Sequence, residues 1–358
     1  MQKWKDIYGE LKMYVEEHPD VDIQDNLINI PKSKQPTFYS MFDKLRDTYI
    51  AEEFPALLND AGLLSAAYLN IERELIKLLD LDDILMPNDI KRFLHKPLDQ
   101  MRREIFDPLF DLLSGKIEMQ RFILDTTVNI NASFKRLYQE GYEKWTVLSL
   151  LRLFEPDKIY YVPLKNPESK QVIKHSVTAK ESLPLPVESK QFAFEVGRRQ
   201  ALLAPDAIIH SARLDKYVAF RTAFCSALWS ANSYSDQREW YSIESLVEEY
   251  GFIILRPDLL VYIDDNVEAV SMVADAERIC RPDIVVECVN EMDDSKNLMR
   301  ERLENINSCY AILKPVVGGF VVSRKNMPSY VHDELEDEIN QIEVGFEGAK
   351  LGSIISTI

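Results

Sequence analysis

Between Leu63 and Leu94 the chain reads LLSAAYLNIERELIKLLDLDDILMPNDIKRFL, with apolar residues returning every three or four positions and charges set between them. SFKRLYQEGYEKWTVLSLLRLF, residues 133–154, repeats the pattern with a single glycine. This spacing puts the apolar side chains on one face of a helix. Residues 1–153 are therefore predicted to form a helical bundle domain. Pro31, Pro36, Pro55, Pro87, Pro97 and Pro108 are read as boundaries between helices, since proline lacks an amide N–H and crowds the preceding turn. The acidic faces of these helices read as solvated surface.

Past residue 154 the texture changes. EPDKIYYVPLKNPESKQVIKHSVTAKESLPLPVESK mixes β-branched and aromatic residues with Pro, Asn and Ser, which predicts loops and one or two short strands. DAIIHSARLDKYVAFRTAFCSALWSA, residues 206–231, reads as a helix, and the polar stretch NSYSDQREWYSIESLVEEYG follows. Apolar runs at 252–263 and 283–289 predict strands. An amphipathic helix is expected over 295–308, capped by Asp294 or Ser295, with a buried stripe of Met299, Leu303, Ile306 and Tyr310. YAILKPVVGGFVVSR predicts a hairpin turning at Pro315, Gly318 and Gly319. From Met327 onward the sequence suggests an acidic helix and a short apolar end. The fold class is α+β: a helical bundle over 1–153, a mixed β-sheet flanked by helices over 154–326, and a tail over 327–358. A competing arrangement makes DNVEAVSMVADAERIC a crossover helix and 252–322 a parallel βαβαβ unit.

Bulk composition narrows the function classes. The chain has 358 residues, is 46% hydrophobic and 28% charged, and carries a formal charge of −17, which disfavours broad nonspecific grip on phosphate backbones but leaves room for a local basic groove. Its longest apolar run is too short to span a bilayer. The amino-terminal MQKWKDIYGELKMYVEEHPD lacks the build of a signal peptide, so a cytoplasmic location is expected. Cys225, Cys280, Cys288 and Cys309 show no CxxC spacing and read as buried thiols, and the five histidines are too dispersed for a local metal box. Neither a GxSxG motif nor a Gly-rich phosphate loop is present.

Candidate chemistry lies in a repeated tripeptide. RPDLLVYID begins at Arg256 and RPDIVVECVNE at Arg281. In an extended strand Asp283, Val285, Glu287, Val289 and Glu291 share one face, so Glu287 projects from a face that is apolar at its centre. A buried carboxylate needs a partner, a proton or a cation. If the two runs are neighbouring strands, Asp258 and Glu287 converge on one point, as carboxylates do around a hard divalent ion. On the following helix Lys296, Arg300 and Asn307 flank one edge of the apolar stripe, and Arg302 lies toward the other.

These residues resemble the PD-(D/E)xK restriction-endonuclease-like superfamily, and most closely a family of short endonuclease-like proteins. There an RPD strand is followed by a PD-apolar-apolar-E-V strand, a helix carrying a displaced Lys, and a further strand. The likeness covers about residues 190–325, with the segment from His210 similar to that family's entry helix. It implies a restriction-endonuclease-like sheet, with Asp258, Glu287 and the backbone carbonyl of Cys288 as ligands of Mg2+ or Mn2+. It also implies phosphodiester hydrolysis on DNA. The chain departs from the pattern in three places: Val289 stands where the motif has its Lys, Asn290 and Glu291 replace Ser-Pro, and the displaced cation falls near Arg302, which keeps its proton at neutral pH. Lys296 is the second candidate for that cation. The alternatives are a non-catalytic binding or scaffold protein on the same fold and a small-molecule enzyme on an unrelated α/β fold. The expected partners are DNA in a local groove or a protein on the helical domain, with no membrane and with homo-oligomerisation open.

Overall fold

The computed structural model describes residues 3–24, 27–162, 185–194, 199–200, 205–222, 224–227, 240–242, 248, 254–271, 278–289 and 296–358. The chain divides into two compact units, 1–69 with 88–142 and 70–87 with 143–358. Helices α1 (Trp4–Glu17), α2 (Gln35–Glu53), α3 (Pro55–Leu79), α4 (Asn88–His95), α5 (Pro97–Leu113) and α6 (Met119–Leu153) follow in order. The division falls inside α3 and α6 and not at residue 153.

The first unit is helical, as its periodicity predicts, apart from one short antiparallel strand pair, Asp22–Gln24 with Leu27–Asn29. Its core is aromatic: Trp4 meets Tyr49 edge-on at 4.9 Å, and Phe42 lies 4.6 Å from Phe110. Proline opens α3 and α5 and lies in the first turn of α2, where the missing N–H costs nothing. Pro108 departs from the expected boundaries. It lies inside α5, which continues because Ile105, Leu109, Phe110 and Leu112 bury on both sides of it.

The second unit is built on an eight-stranded mixed sheet. Its strands are β1 (Pro156–Tyr161), β2 (Val187–Glu188), β3 (Ala207–Ser211), β4 (Lys216–Thr222), β5 (Leu259–Asp264), β6 (Ile284–Val289), β7 (Gly318–Ser323) and β8 (Ile339–Glu343), in spatial order β8-β7-β6-β5-β4-β3-β1-β2. From β2 to β6 neighbours are antiparallel, whereas β6, β7 and β8 are parallel. Helix α7 (Lys296–Leu313) connects β6 to β7, because a parallel pair needs a crossover and not a tight turn.

Four expectations are corrected. Residues 206–231, read as a helix, contain β3 and β4 joined through Asp215 at φ 53°. Both strands are buried on both faces, and such strands lose the alternation that distinguishes them from helices. The hairpin over 310–324 does not form. Helix α7 runs on to Leu313 because Cys309, Ile312 and Leu313 bury against the sheet, and Lys314 ends it at φ 42°. The tail from Met327 carries α8 (Ser329–Glu334) and the sheet's edge strand β8. The parallel βαβαβ alternative fails at its first step, since β5 and β6 are antiparallel. Of the crossover helix it required, residues 265–271 form turns and bends and Arg278–Cys280 a strand, while 272–277 and the caps Asp294 and Ser295 lie outside the described residues.

Helix α7 covers one face of the sheet: Met299, Leu303 and Ile306 are buried with Val289 and Val321, and Cys309 and Ile312 with Val285 and Leu260. The predicted stripe is thus the buried face, with Tyr310 packed at its end. On the opposite face Phe154, just past α6, meets Phe220 at 5.8 Å. Trp145 of α6 meets Phe346 edge-on at 5.6 Å. No helix among the described residues is long and apolar enough to cross a membrane.

Candidate functional site

The two Arg-Pro-Asp tripeptides enter β5 and β6 from opposite ends of an antiparallel pair. Leu259 stands opposite Val286 and Val261 opposite Ile284, so the next rungs set Asp258 against Glu287 and Tyr262 against Asp283. Each aspartate does the same backbone work. Asp258 Oδ2 accepts the Cys288 amide at 2.9 Å, and Asp283 Oδ2 accepts the Ile263 amide at 2.6 Å. Proline fixes the approach and aspartate closes the end of the neighbouring strand. The tripeptide alone therefore accounts for strand pairing. What distinguishes the Asp258 end is the residue opposite, Glu287, and the helix above it.

Asp258 and Glu287 are each only 3% exposed and project toward α7, on the faces shared with Leu260 and Val285. Directly opposed residues of an antiparallel pair hold their Cβ atoms about 4.5–5.5 Å apart. Arg302 reaches down from α7 between strand ends. Its Nη2 donates to Asp258 Oδ2 at 2.8 Å and to the carbonyl oxygen of Cys288 at 2.7 Å. Burial disfavours the Arg302 charge, yet Asp258, then Glu287 and Glu143, outweigh it and hold its pKa above the ordinary value. Burial also pushes the Cys288 thiol well up, helped by the negative charges of Asp258 and Glu143.

Placement of the other expected residues divides cleanly. Arg300 turns to the far edge of α7 and pairs with Glu334 at 2.9 Å, beside Asn307, whose amide donates to the Glu334 carbonyl. Lys296 opens α7, and its side chain lies outside the described residues, as do Asn290, Glu291 and the side chain of Cys225. Val289 is buried among Met299, Leu303 and Ile306. Cys280, Cys288 and Cys309 are buried and take part in no disulfide. Among the described residues no group of three or more His, Cys, Asp or Glu is arranged to hold a metal ion. Of the three ligands that the resemblance implies, Asp258 and the Cys288 carbonyl are bridged by a cationic nitrogen, Arg302 Nη2.

Two features escaped the sequence reading. Glu143 is 8% exposed in a wholly buried stretch of α6, and the signal was a Glu-Lys pair inside an otherwise apolar run. Arg221 and Asp206 form a fully buried ion pair at 3.3 Å, and Asp206 also accepts the Thr222 amide. Arg221 was hidden by the helical reading of β4. Comparison with protein-family models, with curated proteins and with solved structures returned no match.

Proposed function

We propose that this chain is a nuclease-like protein whose carboxylate site is filled by its own guanidinium, and that it works as a non-catalytic binding or scaffold protein. The observation that carries this reading is the Arg302 Nη2 bridge between Asp258 Oδ2 and the Cys288 carbonyl, at 2.8 and 2.7 Å. A hydrolytic metal centre needs those oxygens for an ion and an open position for water. The nuclease likeness is supported by the order along the chain: Asp258 at the head of β5, Glu287 in β6, the basic helix α7, then β7. The loss of catalysis is supported by Val289, which packs in the core at the place of the motif's lysine. A net charge of −17 further favours a protein partner, met on the helical unit, over nucleic acid.

The second reading is a metal-dependent phosphodiester hydrolase acting on DNA, favoured by the direct opposition of Asp258 and Glu287 on one face. There Asp258, Glu287 and the Cys288 carbonyl would hold Mg2+ or Mn2+, which when bound polarises a phosphate and lowers the pKa of water. Arg302, turned aside, would steady charge on the phosphate, but as a guanidinium it would not serve as a base.

The deciding experiment incubates the full-length chain with supercoiled DNA in Mg2+ or Mn2+, beside Asp258→Ala and Glu287→Ala. The expected result is no nicking above that of either variant. Metal-dependent nicking that vanishes in both variants would overturn the non-catalytic reading.

A further inference from the structure

We propose that the free edge of β8 takes up an extended, Lys- or Arg-bearing segment of a protein partner as a ninth strand of the sheet. The eight strands end at β8 on this side, with β7 its one neighbour in the sheet. In a parallel ladder, alternate residues of a strand turn their N–H and C=O to the same side. Val344 donates its amide to the Ser323 carbonyl at 2.8 Å, so Asn340 and Ile342 also face β7, whereas Gln341 and Glu343 turn N–H and C=O outward. On that side neither residue makes a backbone hydrogen bond to another described residue. Gln341 also keeps a buried side-chain oxygen, Oε1, without a hydrogen bond. An added strand supplies the missing partners, which is how extended peptides join open sheets. The chain beyond β8 leaves this edge clear: it turns at Gly345 with φ 60°, and Phe346 packs against Trp145 of α6. Asn340 and Glu343 remain exposed.

Charge selects the occupant. Residues 327–349 hold seven acidic side chains and no Lys or Arg. Glu334 pairs with Arg300 and Glu347 with Lys350, but Asp333, Glu336, Asp337, Glu338 and Glu343 are exposed and make no ion pair with a described residue. Glu336, Asp337 and Glu338 lead into β8 and Glu343 closes it, so both ends of the open edge are negative. Two copies of this edge would set like charges against each other, and a phosphate backbone would be repelled as well. Lys or Arg side chains on an incoming strand neutralise both ends. The edge is two strands away from β6, and what it binds does not depend on whether the carboxylate site is catalytic.

The test titrates a labelled, end-blocked peptide of about six residues, alternating Lys and Val, against the full-length protein, and reads fluorescence anisotropy together with amide hydrogen exchange. Binding is expected, with exchange slowed at the Gln341 and Glu343 amides and unchanged at Asn340 and Ile342, which the β7 ladder already holds. Gln341→Pro removes an outward N–H without touching that ladder and should weaken binding by about tenfold or more. Glu338→Gln combined with Glu343→Gln should weaken it severalfold, and a peptide alternating Glu and Val should not bind. No binding of the Lys-Val peptide, equal binding by a folded Gln341→Pro protein, or binding that leaves the Gln341 and Glu343 amides unprotected overturns the proposal. Self-association of the protein that protects the same two amides would make a second copy the occupant and overturn it too. If Gln341→Pro does not fold, the Lys-Val peptide methylated at its backbone amides replaces it: loss of binding supports edge pairing, and undiminished binding overturns it.

Discussion

Asp258 and Asp283 occupy equivalent positions in the β5–β6 pair, each taking an amide from the other strand, yet their surroundings differ by one carboxylate and one guanidinium. Cys288 sits at the centre of that difference: its amide goes to Asp258, its carbonyl to Arg302, and its thiol is buried where negative charge accumulates. The native thiol therefore keeps its proton to a higher pH than the unfolded one, whose pKa is about 8.5. Above that pH the native state binds more protons than the unfolded state, so stability falls as pH rises. The loss should amount to about 1.4 kcal/mol per pH unit from this one group over the range between the two pKa values. Urea unfolding of wild type and Cys288→Ala at pH values from about 8 to 10 checks it: the wild-type free energy should fall more steeply by that margin, and parallel lines would show that the thiol is not held protonated.

At the scale of elements, α7 is the part whose position the site depends on, since it carries Arg302 on one edge and Arg300 on the other. Beside its buried stripe, its seating on the sheet includes one close approach. A Cβ placed on Gly319 of β7 would fall 2.8 Å from Tyr310 Cε2 and nearer still to Cδ2. Gly319→Ala should therefore displace the ring and cost about 1–3 kcal/mol of overpacking. Adding Tyr310→Leu should recover part of the loss. Chemical denaturation of the three variants measures this, and a neutral Gly319→Ala would mean that α7 does not lie against β7. Much of this arrangement could be read from sequence. Strands β5 and β6 stood out as apolar runs behind Arg-Pro-Asp, and the stripe of Met299, Leu303 and Ile306 gave the buried face of α7. Strands β3 and β4 could not, because burial on both faces erases the alternation by which a strand is recognised. The end of α7 was misjudged because Pro315 and two glycines resemble hairpin chemistry, whereas Ile312 and Leu313 extend the helix by burying against strands distant in sequence. Arg302 was legible as a basic residue on a helix edge, where the resemblance puts its displaced cation, but its bridge to Asp258 was not. Whether the guanidinium or an ion meets the carboxylate depends on a depth that periodicity does not record.

For the whole molecule, the physical limits of the sheet-containing unit matter more than the change in sequence texture at residue 154. That unit takes in residues 70–87 and 143–153 as well as everything after them. Arg152 of α6 pairs with Glu74 of α3 at 2.5 Å. The strand Asp83–Leu85 runs parallel with Gln191–Ala193, and Ser149 packs at the place where a Cβ on Gly348 would lie, 3.3 Å away. Leu75, Ile84, Trp145, Leu148 and Leu151 are all buried. Each fully buried side chain of this kind contributes about 1.5–3 kcal/mol, against a net stability of about 5–15 kcal/mol for an ordinary domain. A fragment of residues 154–358, cut where the composition changes, forfeits all of these and should not fold by itself. It is expected to lack near-ultraviolet circular dichroism and to unfold in urea without a sharp transition, while a fragment of residues 70–358 retains every segment of the unit and should unfold cooperatively. A sharp transition in the shorter fragment would mean that the α3 and α6 segments are dispensable, and that Glu143, for all its pull on Arg302 and Cys288, lies outside what the carboxylate site needs in order to form.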